Sequence, residues 1–101
     1  VILVVGYDRT RDWKNKLKPG LTSGETDAAI VCTHMMLQAA DLGIGSCWVG
    51  YFNPDKVAEV LGLPENITVT ALLPIGYPAE NAAPLPLHSQ YRELADTVAE
   101  I

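Results

Sequence analysis

The sequence has only two cysteines, Cys32 and Cys47, which form no CxxC pair. With no secretory signal beside them, a disulfide framework is not expected, and each reads as a buried, reduced thiol. No stretch approaches the roughly 18 uninterrupted apolar residues that a membrane span needs, and the opening apolar run is too short and lacks the basic leader of a signal peptide. These absences point to the cytoplasm. Positive charge is scarce after residue 18, where only Lys56 and Arg92 stand against ten carboxylates. A sequence pI of about 4.7 argues against general nucleic-acid binding. Internal repeats and low-complexity tracts are also lacking.

What is present is apolar. Of the 101 residues, 49% are hydrophobic, and mean hydropathy is +0.14, which is high for a domain of this size. Some of that surface is expected to meet another segment or subunit. The length suits one domain, able to bury roughly two-thirds of its unfolded surface. The start in Val1-Ile2-Leu3-Val4-Val5 reads as a strand already under way, so the chain is expected to be the C-terminal part of a single longer domain. Residues 1–18 carry five cations against Asp8 and Asp12, for a local net charge of +3. Such a loop is either a solvated connection or an attractor for a phosphate-bearing ligand.

Local patterns predict the elements. Residues 1–7 read as a strand buried on both faces, and residues 8–24 as a long polar connection. A helix follows, started by a Thr22/Glu25 capping box or by Ser23 or Thr26, and stopped near Leu42 by Gly43. Its apolar residues cover nearly the whole circumference, which predicts a central helix with neighbours on every side. Residues 46–52 read as a short strand. Asn53 and Pro54 start a second helix that ends at Leu61-Gly62. Residues 67–75 read as a strand in which Pro74 marks an edge or bulge. The stretch 79–87 reads as extended, and 91–101 as a terminal helix.

Side chains suited to acid–base or nucleophilic work are few. His34 reads as a structural or interface histidine on an apolar helix, with a proton donor as the alternative. Cys32, His34, Met35 and Met36 do not make a metal site, because positions 32 and 34 point to different helix faces and no second cluster lies nearby. His88 and Cys47 lack partner patterns. Trp48-Val49-Gly50, in an uncharged glycine-rich stretch, reads either as a strand packed under a sheet or as a wall for a flat cofactor.

An ordered series of segments resembles the C-terminal half of the FMN-dependent nitroreductase family. It comprises residues 27–31, 33–40, Leu42-Gly43-Ile44-Gly45-Ser46-Cys47-Trp48-Val49-Gly50, Phe52-Asn53, Leu61-Gly62-Leu63-Pro64 and Leu73-Pro74-Ile75-Gly76-Tyr77-Pro78. The resemblance implies part of an α+β, nitroreductase-like fold, with central sheet strands packed on a buried apolar helix. It implies FMN bound at the interface of an intertwined homodimer, and hydride passed from NAD(P)H through the flavin to a small electron-poor acceptor such as a nitroaromatic or quinone. Trp48, Val49 and Gly50 match the segment lining the N5/O4 edge of the flavin. Arg92 stands where the family often places a basic residue that reaches the FMN phosphate, although two adjacent basic residues are common there and this chain has Gln90-Tyr91-Arg92. No catalytic side chain and no metal are implied. Nothing in residues 1–24 matches the family's N-terminal segment for the flavin phosphate and ribityl chain, so these 101 residues alone are expected to bind FMN weakly or not at all. A flavin- or ligand-binding module without turnover, or a structural dimerisation module, would share the same features.

Overall fold

The computed structural model describes residues 1–99. The element order is β1 (Ile2–Asp8), α1 (Gly24–Asp41), β2 (Gly45–Ser46), α2 (Pro54–Leu61) and β3 (Ile67–Gly76), followed by two short 3-10 turns, Pro86–Ser89 and Leu94–Asp96. The sheet is antiparallel in the order β1-β3-β2, with β3 in the centre. This is the expected α+β architecture.

In β3, Val69, Ala71 and Leu73 are buried, with the intervening residues only partly so. Ala71 and Leu73 pack against α1, whose Ala28 and Cys32 are also buried, and Val5 of β1 completes the cluster. Small residues on α1 let the helix lie close to the sheet. Tyr7 crosses Gly24 at the helix start, where a Cβ would run into the tyrosine ring. Partway along, the β1–β3 register shifts so that Val5 faces Ala71 while Gly6 faces Val69. Thr70 is the extra residue of this bulge, and its hydroxyl is buried without a partner. At Gly6 a Cβ would collide with the Thr68 carbonyl, so the bulge depends on a glycine there.

Helix ends follow local chemistry. The N-cap of α1 is Ser23, one of the alternatives read from sequence, but the Thr22/Glu25 capping box does not form. Instead the Ser23 hydroxyl donates to Asp27 Oδ2 at 2.5 Å. At the other end Gly43 adopts φ +70°, its N–H donates to Ala40 O at 3.0 Å, and Ile44 N–H donates to Ala39 O at 2.8 Å. That pair of bonds is a Schellman closure. α2 has the predicted boundaries: the Asn53 side chain accepts from Lys56 N–H at 3.1 Å, Pro54 occupies the first turn, and Gly62 closes the helix at φ +63°.

Four expectations need correction. α1 is not buried all round, because Ile30, Val31 and Leu37 are more than half exposed; the chain covers only the face toward the sheet. β1 is likewise covered on one face, and Ile2 and Val4 stay exposed. With Leu72, Val57, Val60 and Leu61 they line an open apolar groove of about 440 Å³ between the sheet and α2. Pro74 sits in the central strand and not at an edge. Its missing N–H faces β2, and the expected strand over 46–52 is reduced there to Gly45–Ser46 plus a single bridge, Val49 to Leu72. Cys47 N–H donates to Pro74 O at 3.2 Å, but proline cannot return the bond, so the ladder opens opposite it.

The tail is the fourth. Every described residue from Gly76 onward is exposed, and residues 91–99 hold one 3-10 turn where a helix was expected; Glu100 and Ile101 lie outside the described residues. A short isolated helix with no surface to pack on is marginal in water. The projecting tail also accounts for a radius of gyration of 16.8 Å, against about 13 Å for a compact chain of this length.

In the connection 8–24, the Asp8 carboxylate accepts from the Thr10 hydroxyl at 2.6 Å and the Thr10 amide at 2.8 Å. The Thr10 hydroxyl is the main reason that its pKa is lowered to about 2. A depressed folded value means that the stabilisation is present above the ordinary carboxylate range and is lost as pH falls through about 2. Followed by NMR in the intact protein, the Thr10 amide should titrate with a midpoint near 2, and Thr10→Val should move the Asp8 midpoint up. Equilibrium urea unfolding of the intact protein should show Leu73→Ala costing about 2–5 kcal/mol, and Gly24→Ala, which crowds Tyr7, costing about 1–3 kcal/mol.

Candidate functional site

Residues 45–49 run antiparallel to β3 in one register, Gly45 opposite Gly76 and Val49 opposite Leu72. Val49 N–H donates to Leu72 O at 2.9 Å, and Leu72 N–H donates to Val49 O at 3.1 Å. The Val49 amide is therefore committed to the sheet. Successive residues of an extended chain turn their N–H groups to opposite sides, so those of Trp48 and Gly50 point to the free edge. Neither has an acceptor among the described residues. Gly50 presents no Cβ, and the Trp48 indole leans toward it. Beyond Gly50, residues 50–53 line an open concavity of about 370 Å³.

Three of the four residues singled out in the sequence thus form one continuous edge, with unequal parts: Val49 anchors it, while Trp48 and Gly50 carry the available donors. Arg92 is exposed in the tail and makes no hydrogen bond or ion pair among the described residues, so nothing in the fold joins it to that edge. Leu72 and Pro74 were not singled out for the site. Leu72 fixes Val49, and Pro74 loosens the ladder just before Trp48; only the strand register reveals either role.

The remaining candidates resolve individually. His34 Nδ1 lies 2.9 Å from Ile30 O, one turn back on α1, which suits a structural histidine. Cys32 is fully buried, and burial pushes its thiol pKa up. Cys47 is exposed, contrary to the buried thiol expected, because it lies on the loosely paired edge. In the basic connection, the Arg9 guanidinium donates to Glu65 O. Lys14 Nζ bonds both Asp12 Oδ1 at 2.9 Å and Arg9 O at 3.0 Å. Lys14 is also the first cause of a lowered Asp12 pKa. Two of the five cations are therefore spent within the fold, which favours the solvated-connection reading. No described helix is long and apolar enough to cross a membrane.

Comparison with known proteins places the chain in a family. The family model described as "Nitroreductase family" matches residues 1–77. An NADPH-flavin oxidoreductase of Vibrio harveyi is 33% identical over 70% of this chain and 34% of its own. FMN reductase [NAD(P)H] of Bacillus subtilis is 31% identical over 81% of this chain and 35% of its own. A crystal structure of a nitroreductase family protein from Clostridium difficile 630 superposes with a TM-score of 0.85 at 34% identity, covering 97% of this chain and 57% of that one. The chain spans about a third of the length of the curated relatives it matches. On the extent of the family match and the superposition, this chain belongs to the nitroreductase family.

Proposed function

We propose that the intact protein is an FMN-dependent oxidoreductase that draws on NAD(P)H and reduces a small electron-poor acceptor, a nitroaromatic or a quinone. The observation that carries this reading is the free edge at Trp48 and Gly50, where two unpaired N–H groups flank the sheet-bound Val49 and Gly50 itself has no Cβ. The edge fits a flat heterocycle: the glycine admits close approach, and the donors can meet ring nitrogen or oxygen. When bound, FMN would supply the hydride chemistry, taking hydride from the nicotinamide and giving it to the acceptor.

The chain's own residues bind and orient. Val49, doubly bonded to Leu72, holds the edge against the central strand, so the donors on either side are oriented before any ligand arrives. Fixed N–H dipoles stabilise negative charge on a neighbouring ring without reorganising. The Trp48 indole gives the edge an apolar wall that limits water. Arg92 is the proposed partner for the FMN phosphate, for which guanidinium geometry is suited. None of Trp48, Val49 and Gly50 carries an acid, a base or a nucleophile. The exposed apolar face of α1 around Ile30, Val31 and Leu37 supports a homodimer as the working form, in the cytoplasm.

The intact protein should purify with, or take up, FMN and show flavin absorbance, and should oxidise NAD(P)H when a quinone or nitroaromatic is added. Gly50→Val should weaken FMN binding about tenfold or more by covering the edge. A colourless protein that takes up no added FMN contradicts the proposal.

A further inference from the structure

The basic connection between β1 and α1 is a built hairpin. Lys14 pairs with Thr22 across it, Asn15 N–H donates to Leu21 O at 2.9 Å, and Ser23 N–H donates to Trp13 O at 3.1 Å. At the tip the Asn15 side chain accepts from the Leu17 amide at 2.8 Å and from the Lys18 amide at 3.1 Å. Leu21 N–H closes back onto Lys18 O at 3.2 Å, and Gly20 makes the return at φ +88°. The backbone carrying Lys16 and Lys18 is therefore fixed, although both side chains are exposed.

Most other cations are engaged. Arg9 donates to Glu65 O, Lys14 pairs with Asp12 and Lys56 with Glu59, and Arg11 lines a hollow with Asp8, Asp12 and Asp27. Lys16 and Lys18 form no ion pair among the described residues, and from Trp13 to Gly24 the sequence has no carboxylate. Residues 19–101 set two cations against ten carboxylates, a net charge of −8. An anion is repelled by most of this chain and drawn to the hairpin tip. Place narrows the choice of anion. Asp8 pairs with Ile67 and Val49 with Leu72, so the base of the hairpin stands two strand spacings across and five residues along from the Trp48–Gly50 edge, roughly 20 Å away. That separation suits the far end of a dinucleotide whose nicotinamide lies at the edge. NADPH carries there the ribose 2′-phosphate that NADH lacks, and lysine ammonium groups bind phosphate as point charges. We propose that Lys16 and Lys18 receive the 2′-phosphate of NADPH, so that this hairpin sets a preference for NADPH over NADH. The inference rests on the flavoprotein reading above and adds the choice of reductant. The cations spent within the connection give it the shape that presents the other two, and a solvated tip can meet a phosphate that is itself hydrated.

Two measurements on the intact protein test this. Adenosine 2′-phosphate titrated into 15N-labelled wild type should shift the Leu17 and Lys18 amide resonances, and its isomer adenosine 5′-phosphate should leave them in place. Resonances unmoved by the first, or moved alike by both, overturn the proposal, whether or not the protein holds FMN. In turnover of the FMN-loaded protein, Lys16→Gln combined with Lys18→Gln should raise KM for NADPH about five- to tenfold, the order expected of two exposed charge contacts, and KM for NADH by less than twofold. The difference between variant and wild type should shrink as salt is added. A KM for NADPH within twofold of wild type, or a rise shared equally by both reductants, overturns the assignment. Wild type that takes up no FMN overturns the flavoprotein reading and leaves the adenosine titration to decide the hairpin; wild type that binds FMN and turns over NADH in preference to NADPH overturns the hairpin alone.

Discussion

The seal between β3 and α1 is the interaction on which the rest of the structure depends. Leu73 and Ala71 are fully buried beneath Cys32 and Ala28. Burying one leucine side chain is worth about 1.5–3 kcal/mol. Because β3 is the central strand, whatever fixes it also fixes both neighbours. β1 is held through its long antiparallel ladder, and the 45–49 segment through Gly45, Ser46 and Val49. Among the described residues the 45–49 segment is bonded to no strand other than β3, so its geometry follows the packing of that strand on α1.

Pro74 then decides how tightly that segment is held. A full ladder opposite residues 45–49 would make an ordinary edge strand. With no N–H at Pro74, pairing lapses at Cys47 and resumes for one residue at Val49. The outcome is an edge pinned at one residue, whose neighbours direct their donors outward. Unpaired edge donors invite pairing with something, and here they sit beside a glycine and an indole in a stretch without charge. The same economy of cover shows elsewhere, in the α1 face around Ile30 and Leu37 and in the groove between Ile2, Val4 and α2. The chain buries one side of its sheet well and leaves much apolar surface to be covered by something else.

Elements set by nearest neighbours were legible in the sequence. Asn53, Pro54 and Gly62 defined α2 because capping is a local bargain between a side chain and the first or last turn, and Gly43 ended α1 for the same reason. The segments carrying the family resemblance also indicated the α+β fold and the edge at Trp48–Gly50. What depended on distant partners was hidden. The apolar circumference of α1 shows that the helix seeks cover but not which face this chain supplies. The strand expected at 46–52 is interrupted by a proline some 25 residues away in sequence. The unequal roles of Val49 and Gly50 follow from strand register, which no single-residue pattern encodes. Residues 91–99 have apolar side chains at helical spacing but no surface to dock on.

Val49 is the sheet-bound anchor, and under the proposed function the neighbouring Gly50 N–H is the one left for the flavin. Amide hydrogen exchange of the intact protein, with and without FMN, tests this most directly. The Val49 amide should be protected in both states, and the Gly50 amide should exchange fast without FMN and become protected once it is bound. A Gly50 amide already protected in the FMN-free protein, or one that FMN leaves unchanged, would contradict it.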